Sequence, residues 1–203
     1  MKFYKLAVIL FIISIQIDAD NIDQEYKIEL LIYKYNITKT DESFTSLYNI
    51  YIEDLITLDE NNENSDFSNL SEYIEAILDN DLIKANSIYP KIWIRDDSDI
   101  TKLKKLENQL INDKSKTFLE SKSWIQTIPK EESSKFIYYS SDDYGFLIKL
   151  YKKRFMHIEL DSFLKNETNK INKFIQINQR VFNEEIYLFD HPYFGVILSI
   201  NEI

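Results

Sequence analysis

His157, Glu159 and Asp161 stand at alternate positions in Met156-His-Ile-Glu-Leu-Asp161. In an extended chain, side chains two residues apart share a face at a spacing of about 6.6 Å. One imidazole and two carboxylates on one face are the raw material of a metal site or an acid–base pair. The intervening Met156, Ile158 and Leu160 are apolar, and the same alternation describes a half-buried strand with a solvated outer face. The second reading carries more weight, because no catalytic motif accompanies the first. The chain has no G-x-S-x-G and no H-E-x-x-H, and two glycines leave no room for a phosphate loop. The absence of cysteine excludes disulfides, thiolate zinc, iron–sulfur clusters, thiol catalysis and lipoprotein acylation. The residues read as a protein without catalysis, metal or cofactor.

His191, the other histidine, lies in Phe189-Asp-His-Pro-Tyr-Phe-Gly195. Pro192 fixes its own φ and drives His191 toward extended geometry. Asp190 can accept backbone N–H groups, Phe189 and Phe194 can pack on either side, and Gly195 admits a close approach. A shaped turn accounts for these residues without chemistry; a ligand site at Asp190 and His191 is the alternative. Lys149, Lys152, Lys153 and Arg154 form the one concentrated basic patch on an acidic chain. A charged hairpin tip explains it, and a dock for a carboxylate-bearing ligand is the sharper reading. Trp93 and Trp124 are the only tryptophans. Core packing is the default for each, with stacking on a sugar ring as the alternative for an exposed one.

The elements that would hold these residues follow from periodicity. Tyr26, Ile28, Leu30 and Ile32 alternate and predict a strand over 26–33. Residues 36–66 are polar and acidic, most of all Asp59-Glu-Asn-Asn-Glu-Asn-Ser-Asp66, which predicts an exposed loop. Leu70, Ile74, Ile77 and Leu78 predict a helix over 68–82, capped by Ser68. Leu103, Leu106, Leu110 and Ile111 predict another over about 100–116, its positive end served by the preceding aspartates at 96, 97 and 99. Beyond residue 117 the pattern turns to strands: one over 118–128, a hairpin of 146–151 with 155–160, a second hairpin of 173–182 with 185–189, and a last strand over 195–200. The expected fold is α+β, an N-terminal strand and two helices followed by an antiparallel meander.

The formal charge of −10 opposes nucleic-acid binding, which needs a basic face. Residues 1–19 have the layout of a cleaved secretory signal: Lys2 and Lys5, an apolar run from Leu6 to Ile15, and Ala19 at the end. That run is too short for a spanning helix, so no membrane span is expected after cleavage. Cleavage removes Lys2, Lys5 and Asp18 and takes the charge from −10 to −11. Abundant Ile, Asn and Lys with scarce Gly, Ala and Arg fit an AT-rich coding sequence.

Four segments resemble the CsiV family of periplasmic peptidoglycan-binding proteins of gammaproteobacteria. Tyr26-Lys-Ile-Glu-Leu-Leu-Ile-Tyr33 is similar to its opening strand, and Trp124-Ile-Gln126 to its Trp-x-Gln strand. Gly145-Phe-Leu-Ile-Lys-Leu150 with Arg154-Phe-Met-His-Ile-Glu-Leu-Asp161 resembles its next strand pair. Glu185-Ile-Tyr-Leu-Phe-Asp-His-Pro-Tyr-Phe-Gly-Val196 resembles its C-terminal Phe-Asp-His-Pro-x-Phe-Gly-Val signature. Residues 26–35 and about 103–200 carry the resemblance; 36–100 form a divergent acidic segment within one domain over 20–203. Two departures stand out: Asn183-Glu184 replaces a usual Ser-Gly, and Tyr187 replaces a His. The resemblance implies a non-catalytic periplasmic protein that binds peptidoglycan. It also implies support of a penicillin-binding protein through its outer-membrane lipoprotein activator. A protein–protein adaptor without glycan binding is the alternative. Motif position adds Gln126 and Tyr187 to the candidate ligand residues Lys149, Lys152, Lys153, Arg154, His157, Trp124, Asp190 and His191.

Overall fold

The structure is a computed structural model and describes residues 24–38, 40, 55–57, 94–166 and 171–203. Ten strands are present: β1 Glu25–Tyr35, β2 Leu55–Thr57, β3 Ile94–Asp96, β4 Lys116–Thr127, β5 Phe136–Ser140, β6 Tyr144–Lys152, β7 Met156–Lys165, β8 Ile171–Arg180, β9 Ile186–His191 and β10 Phe194–Glu202. One α-helix, α1, spans Lys104–Asn112. The strands make two five-stranded sheets. Sheet A has the order β3-β4-β1-β10-β9 and is antiparallel throughout; sheet B has the order β2-β5-β6-β7-β8, with β2 and β5 parallel.

The period-two pattern of each strand builds the core between the sheets. Ile28, Leu30 and Ile32 of β1 and Val196, Leu198 and Ile200 of β10 share it with Phe146, Ile148 and Leu150 of β6 and Ile158 and Leu160 of β7. Each such side chain contributes about 1.5–3 kcal/mol by leaving water. β1 is apolar on its other face too. Leu31 and Tyr33 pack with Ile197 under Leu103 and Leu110 of the helix segment. The layers are therefore α1, sheet A and sheet B.

Two carboxylates fix α1 to sheet A. Glu29 is fully buried on β1. Its Oε1 accepts from Thr101 N at 3.0 Å, Thr101 Oγ1 at 2.5 Å and Lys102 N at 3.0 Å, and its Oε2 accepts from Leu103 N at 2.8 Å. Burial alone would raise its pKa, but these four donors outweigh it and hold the carboxyl below its ordinary value. Glu107 accepts from Lys104 Nζ at 2.6 Å and from Ser121 Oγ of β4 at 2.7 Å. It too is held low, against the burial that would raise it.

Both glycines of the chain lie directly opposite an aromatic residue on the neighbouring strand. Gly195 pairs with Tyr33, and Gly145 with Phe163. An added Cβ would overlap the ring in each case, so the ring takes the place of the missing side chain.

The fold corrects several expectations. Strand makes up 62% of the described residues and there is one α-helix, so the fold is mostly β in two sheets and not two helices followed by a meander. The predicted helix over 68–82 and the acidic block 59–66 lie outside the described residues, as does Trp93. Within the predicted loop 36–66, Leu55–Thr57 is a strand. α1 is shorter than 100–116, and Ile111 of its apolar stripe is exposed. The aspartates before it do not cap its N-terminus, and no side chain does; Glu29 holds the turn of Thr101, Lys102 and Leu103 that leads into the helix, while Asp97 pairs with Lys27 at 3.1 Å. The segments 173–182 and 185–189 do not form a hairpin. β8 pairs with β7 in sheet B and β9 with β10 in sheet A.

The chain crosses between sheets there through Glu184, which has φ of 64°. This is the position of the resembling family's Gly, which adopts left-handed backbone without a clash against Cβ. Glu184 N donates to Ile200 O at 2.8 Å, and Asn183 Oδ1 accepts from Glu202 N at 2.8 Å, which hold the turn. Glu184→Gly is expected to raise stability by about 1 kcal/mol, read from the urea midpoint. Glu29→Gln is expected to cost about 3 kcal/mol, because buried N–H donors lose a charged acceptor. Glu29 has a depressed folded pKa, so its contribution is complete above the unfolded carboxylate range near pH 4.5 and is lost as pH falls below it. Unfolding midpoints between pH 6 and about pH 3 should therefore fall less steeply in Glu29→Gln than in the parent.

Candidate functional site

The β6–β7 turn and the end of β8 meet at one edge of sheet B, because the register sets Tyr151 opposite His157 and His157 opposite Arg180. The Tyr151 and His157 rings stack with centroids 5.5 Å apart. Around them lies a column of alternating guanidinium and phenyl groups. Arg154 Cζ is 5.4 Å from the Phe155 ring centroid, Arg180 Cζ is 3.4 Å from the same centroid, and Arg180 Cζ is 4.2 Å from that of Phe182. Phe155 is 40% exposed and Phe182 46%, so these rings face solvent. Stacking uses the face of a guanidinium and leaves its edge N–H donors for another partner.

The acids and lysines around this column are already engaged. Lys153 pairs with Glu131 at 2.8 Å, and that carboxylate holds the ammonium above its ordinary pKa. Lys149 lies 5.4 Å from the Tyr151 ring and 5.6 Å from that of Phe136. Burial pushes the Tyr151 hydroxyl up, and the Glu159 carboxylate adds to it. The Tyr187 hydroxyl accepts from Phe182 N at 2.7 Å and donates to Glu185 at 2.9 Å, which anchors the residue beside the column. Among the described residues no carboxylate pairs with Arg154 or Arg180.

The structure thus brings together Lys149, Lys153, Arg154 and His157, with Tyr187 at the margin. Lys152 points elsewhere and donates to Tyr26 Oη of β1 at 2.9 Å, bridging the two sheets. Trp124 is 1% exposed and stacks on Phe146 in the core, and its indole Nε1 donates to Gln126 Oε1 at 2.7 Å. Neither residue offers a surface for a ligand. The spacing already contained this pairing, since residues two apart on a strand share a face. Glu159 and Asp161 lie with His157 on the outer face of β7, and among the described residues no group of His, Asp or Glu converges to hold a metal. Arg180, Phe155 and Phe182 were not singled out in the sequence. The scarcity of Arg was the available signal, since two of only three arginines meet here.

Asp190 and His191 lie in the other sheet, at the β9–β10 turn. Asp190 accepts from Tyr35 Oη at 3.0 Å, and Tyr35 Oη lies 3.4 Å from Tyr33 Oη. Burial, Tyr35 and the Asp190 carboxylate together push the Tyr33 hydroxyl far up. His191 Nδ1 accepts from Tyr193 N at 3.2 Å across the Pro192 turn, and its ring lies against Phe194 at 5.4 Å. Phe189 and Phe194 are buried on either side, and Gly195 sits under Tyr33. This geometry favours a corner over a ligand site. His191→Ala is expected to lower stability by about 1 kcal/mol through the lost acceptor. An unchanged urea midpoint would show that the imidazole has no structural duty.

No helix of the described residues is long and apolar enough to cross a membrane. No curated protein and no solved structure matches the chain. The family model described as peptidoglycan-binding protein, CsiV, matches residues 4–203. That span takes in both sheets, α1, the Arg–Phe column and the β9–β10 turn, and the chain belongs to the CsiV family.

Proposed function

We propose that this chain binds peptidoglycan without acting on it, as a periplasmic protein exported by the signal at residues 1–19. It supports cell-wall synthesis together with a penicillin-binding protein and that enzyme's outer-membrane lipoprotein activator. The observation that carries the binding reading is the family match over 4–203. The exposed Phe155 and Phe182 rings and the Arg154 and Arg180 guanidiniums supply the contact groups such binding needs. A net charge of −10 suits a basic protein partner, and that favours the assembly role.

The same charge sets the form of the wall interaction. Peptidoglycan carries carboxylates on its peptide stems, so the long-range field repels while local contacts attract. The Debye length is about 30 Å at 0.01 M salt, about 8 Å at 0.15 M and about 3 Å at 1 M. Co-sedimentation of the purified protein with sacculi is expected to rise from 0.01 M to 0.15 M salt, as the repulsion is screened, and to fall again toward 1 M. Absence of the folded protein from the sacculus pellet at every salt concentration would overturn direct wall binding and leave an adaptor that contacts proteins only.

A further inference from the structure

We propose that the column of Arg154, Phe155, Arg180 and Phe182 is a carboxylate-recognition site, and that the groups it takes are the free carboxylates of peptidoglycan stems. This inference rests on the wall-binding reading and deepens it. Three observations carry it.

The first is how the basic side chains are spent. Lysines 27, 104, 116, 122 and 153 are each in an ion pair with a carboxylate of this chain. Lys152 is drawn to Tyr26. Arg154 and Arg180 are exposed in a chain with 34 acidic residues, yet among the described residues neither pairs with one. The nearby acids have other partners: Glu131 holds Lys153, Glu185 accepts from Tyr187, and Glu159 lies beside Tyr151.

The second is orientation. At 3.4 Å from the Phe155 centroid and 4.2 Å from that of Phe182, the Arg180 guanidinium is held against both rings. Its donors lie in the plane of the group and at its edge. A carboxylate matches that edge with two parallel N–H···O bonds, which an ammonium cannot offer. Stacking also restricts the side chain before the ligand arrives, so less rotamer freedom is lost on binding.

The third is the adjoining apolar surface. Phe155 and Phe182, each more than a third exposed, flank the guanidiniums. A stem peptide presents small apolar side chains next to its carboxylates, and the column places exposed rings next to guanidiniums.

The test turns on the sign of an effect. Sacculi are treated with carbodiimide and methylamine, which caps their carboxylates as amides and leaves glycan and mesh intact. If the interaction were governed by net charge, capping would remove repulsion of an acidic protein and raise its retention. The carboxylate site requires the opposite: retention of the parent protein at 0.15 M salt falls about tenfold or more on capped sacculi. Arg154→Gln/Arg180→Gln should lose a similar factor on intact sacculi and show no fall in retention on capping. Arg154→Lys/Arg180→Lys, which keeps the charge without the fork, should recover only part of it. Parent retention that is equal or higher on capped sacculi overturns the inference while wall binding stands. Retention on neither kind overturns both. The capping comparison uses the parent protein, so its outcome does not depend on the variants folding.

Discussion

β1 has to bury both of its faces. Ile28, Leu30 and Ile32 need cover on one side and Leu31 and Tyr33 on the other, so sheet A cannot stand with one face in water. Sheet B covers the inner face with its own alternating apolar residues. A short helix covers the outer face, and nine residues of helix have little stability of their own. What holds the helix in place is Glu29, a charge set among leucines on the strand that the helix must cover. The N–H groups of Thr101, Lys102 and Leu103, in the turn that leads into the helix, would lose their charged acceptor without it, and the carboxylate would have no solvation without them. Each solves the other's problem only when the layers are docked, so the polar pair specifies the packing that the apolar contacts make favourable. Glu107 repeats the device one turn on, toward Ser121 of β4.

The division of labour between Lys and Arg gives the surface its character. Of the five lysines described in ion pairs, Lys27 and Lys153 tie distant parts of the chain together and the other three pair with an acid two or three residues away, which lowers the local cost of so many acids. The arginines are few and are used differently. Arg95 pairs with Glu25 at 2.7 Å at the edge of sheet A, whereas Arg154 and Arg180 are exposed and lie over phenyl rings. An acidic protein can therefore carry a small cationic feature whose reach is a few ångströms and whose selectivity lies in geometry and not in field strength.

Strands with strong alternation were legible from the sequence: β1, β4, the β6–β7 pair and β10 lie close to where the pattern places them. So was the β9–β10 turn, because Pro192 restricts the backbone locally and Gly195 leaves space for a close approach. What failed was everything decided by distant partners. Periodicity shows that 173–182 and 185–189 are extended but not that Glu184 carries the chain from one sheet to the other. Nothing local says that a three-residue segment at 55–57 will lie parallel to 136–138. The anchor of the turn before the helix was hidden for the same reason, since Glu29 reads as the solvent side of a strand until a helix lies over it. Of the Arg–Phe column, Arg154 alone was visible, in the basic turn at 149–154. Arg180 joins it only through the register of β7 with β8, which no spacing along the chain encodes. The likeness of the C-terminal motif supplied the family where residue chemistry alone did not.

The place of β1 in sheet A also sets an order in time. One of its partners, β10, begins at Phe194, close to the end of the chain, while β1 itself ends at Tyr35. At 5–20 residues per second a ribosome takes roughly ten to thirty seconds to make the stretch between them. Through that interval β1, which is buried on both faces, has no second neighbour, and the core between the sheets cannot close. The nascent chain is thus kept open by its own topology. Closure of the core is thereby tied to completion of almost the whole chain.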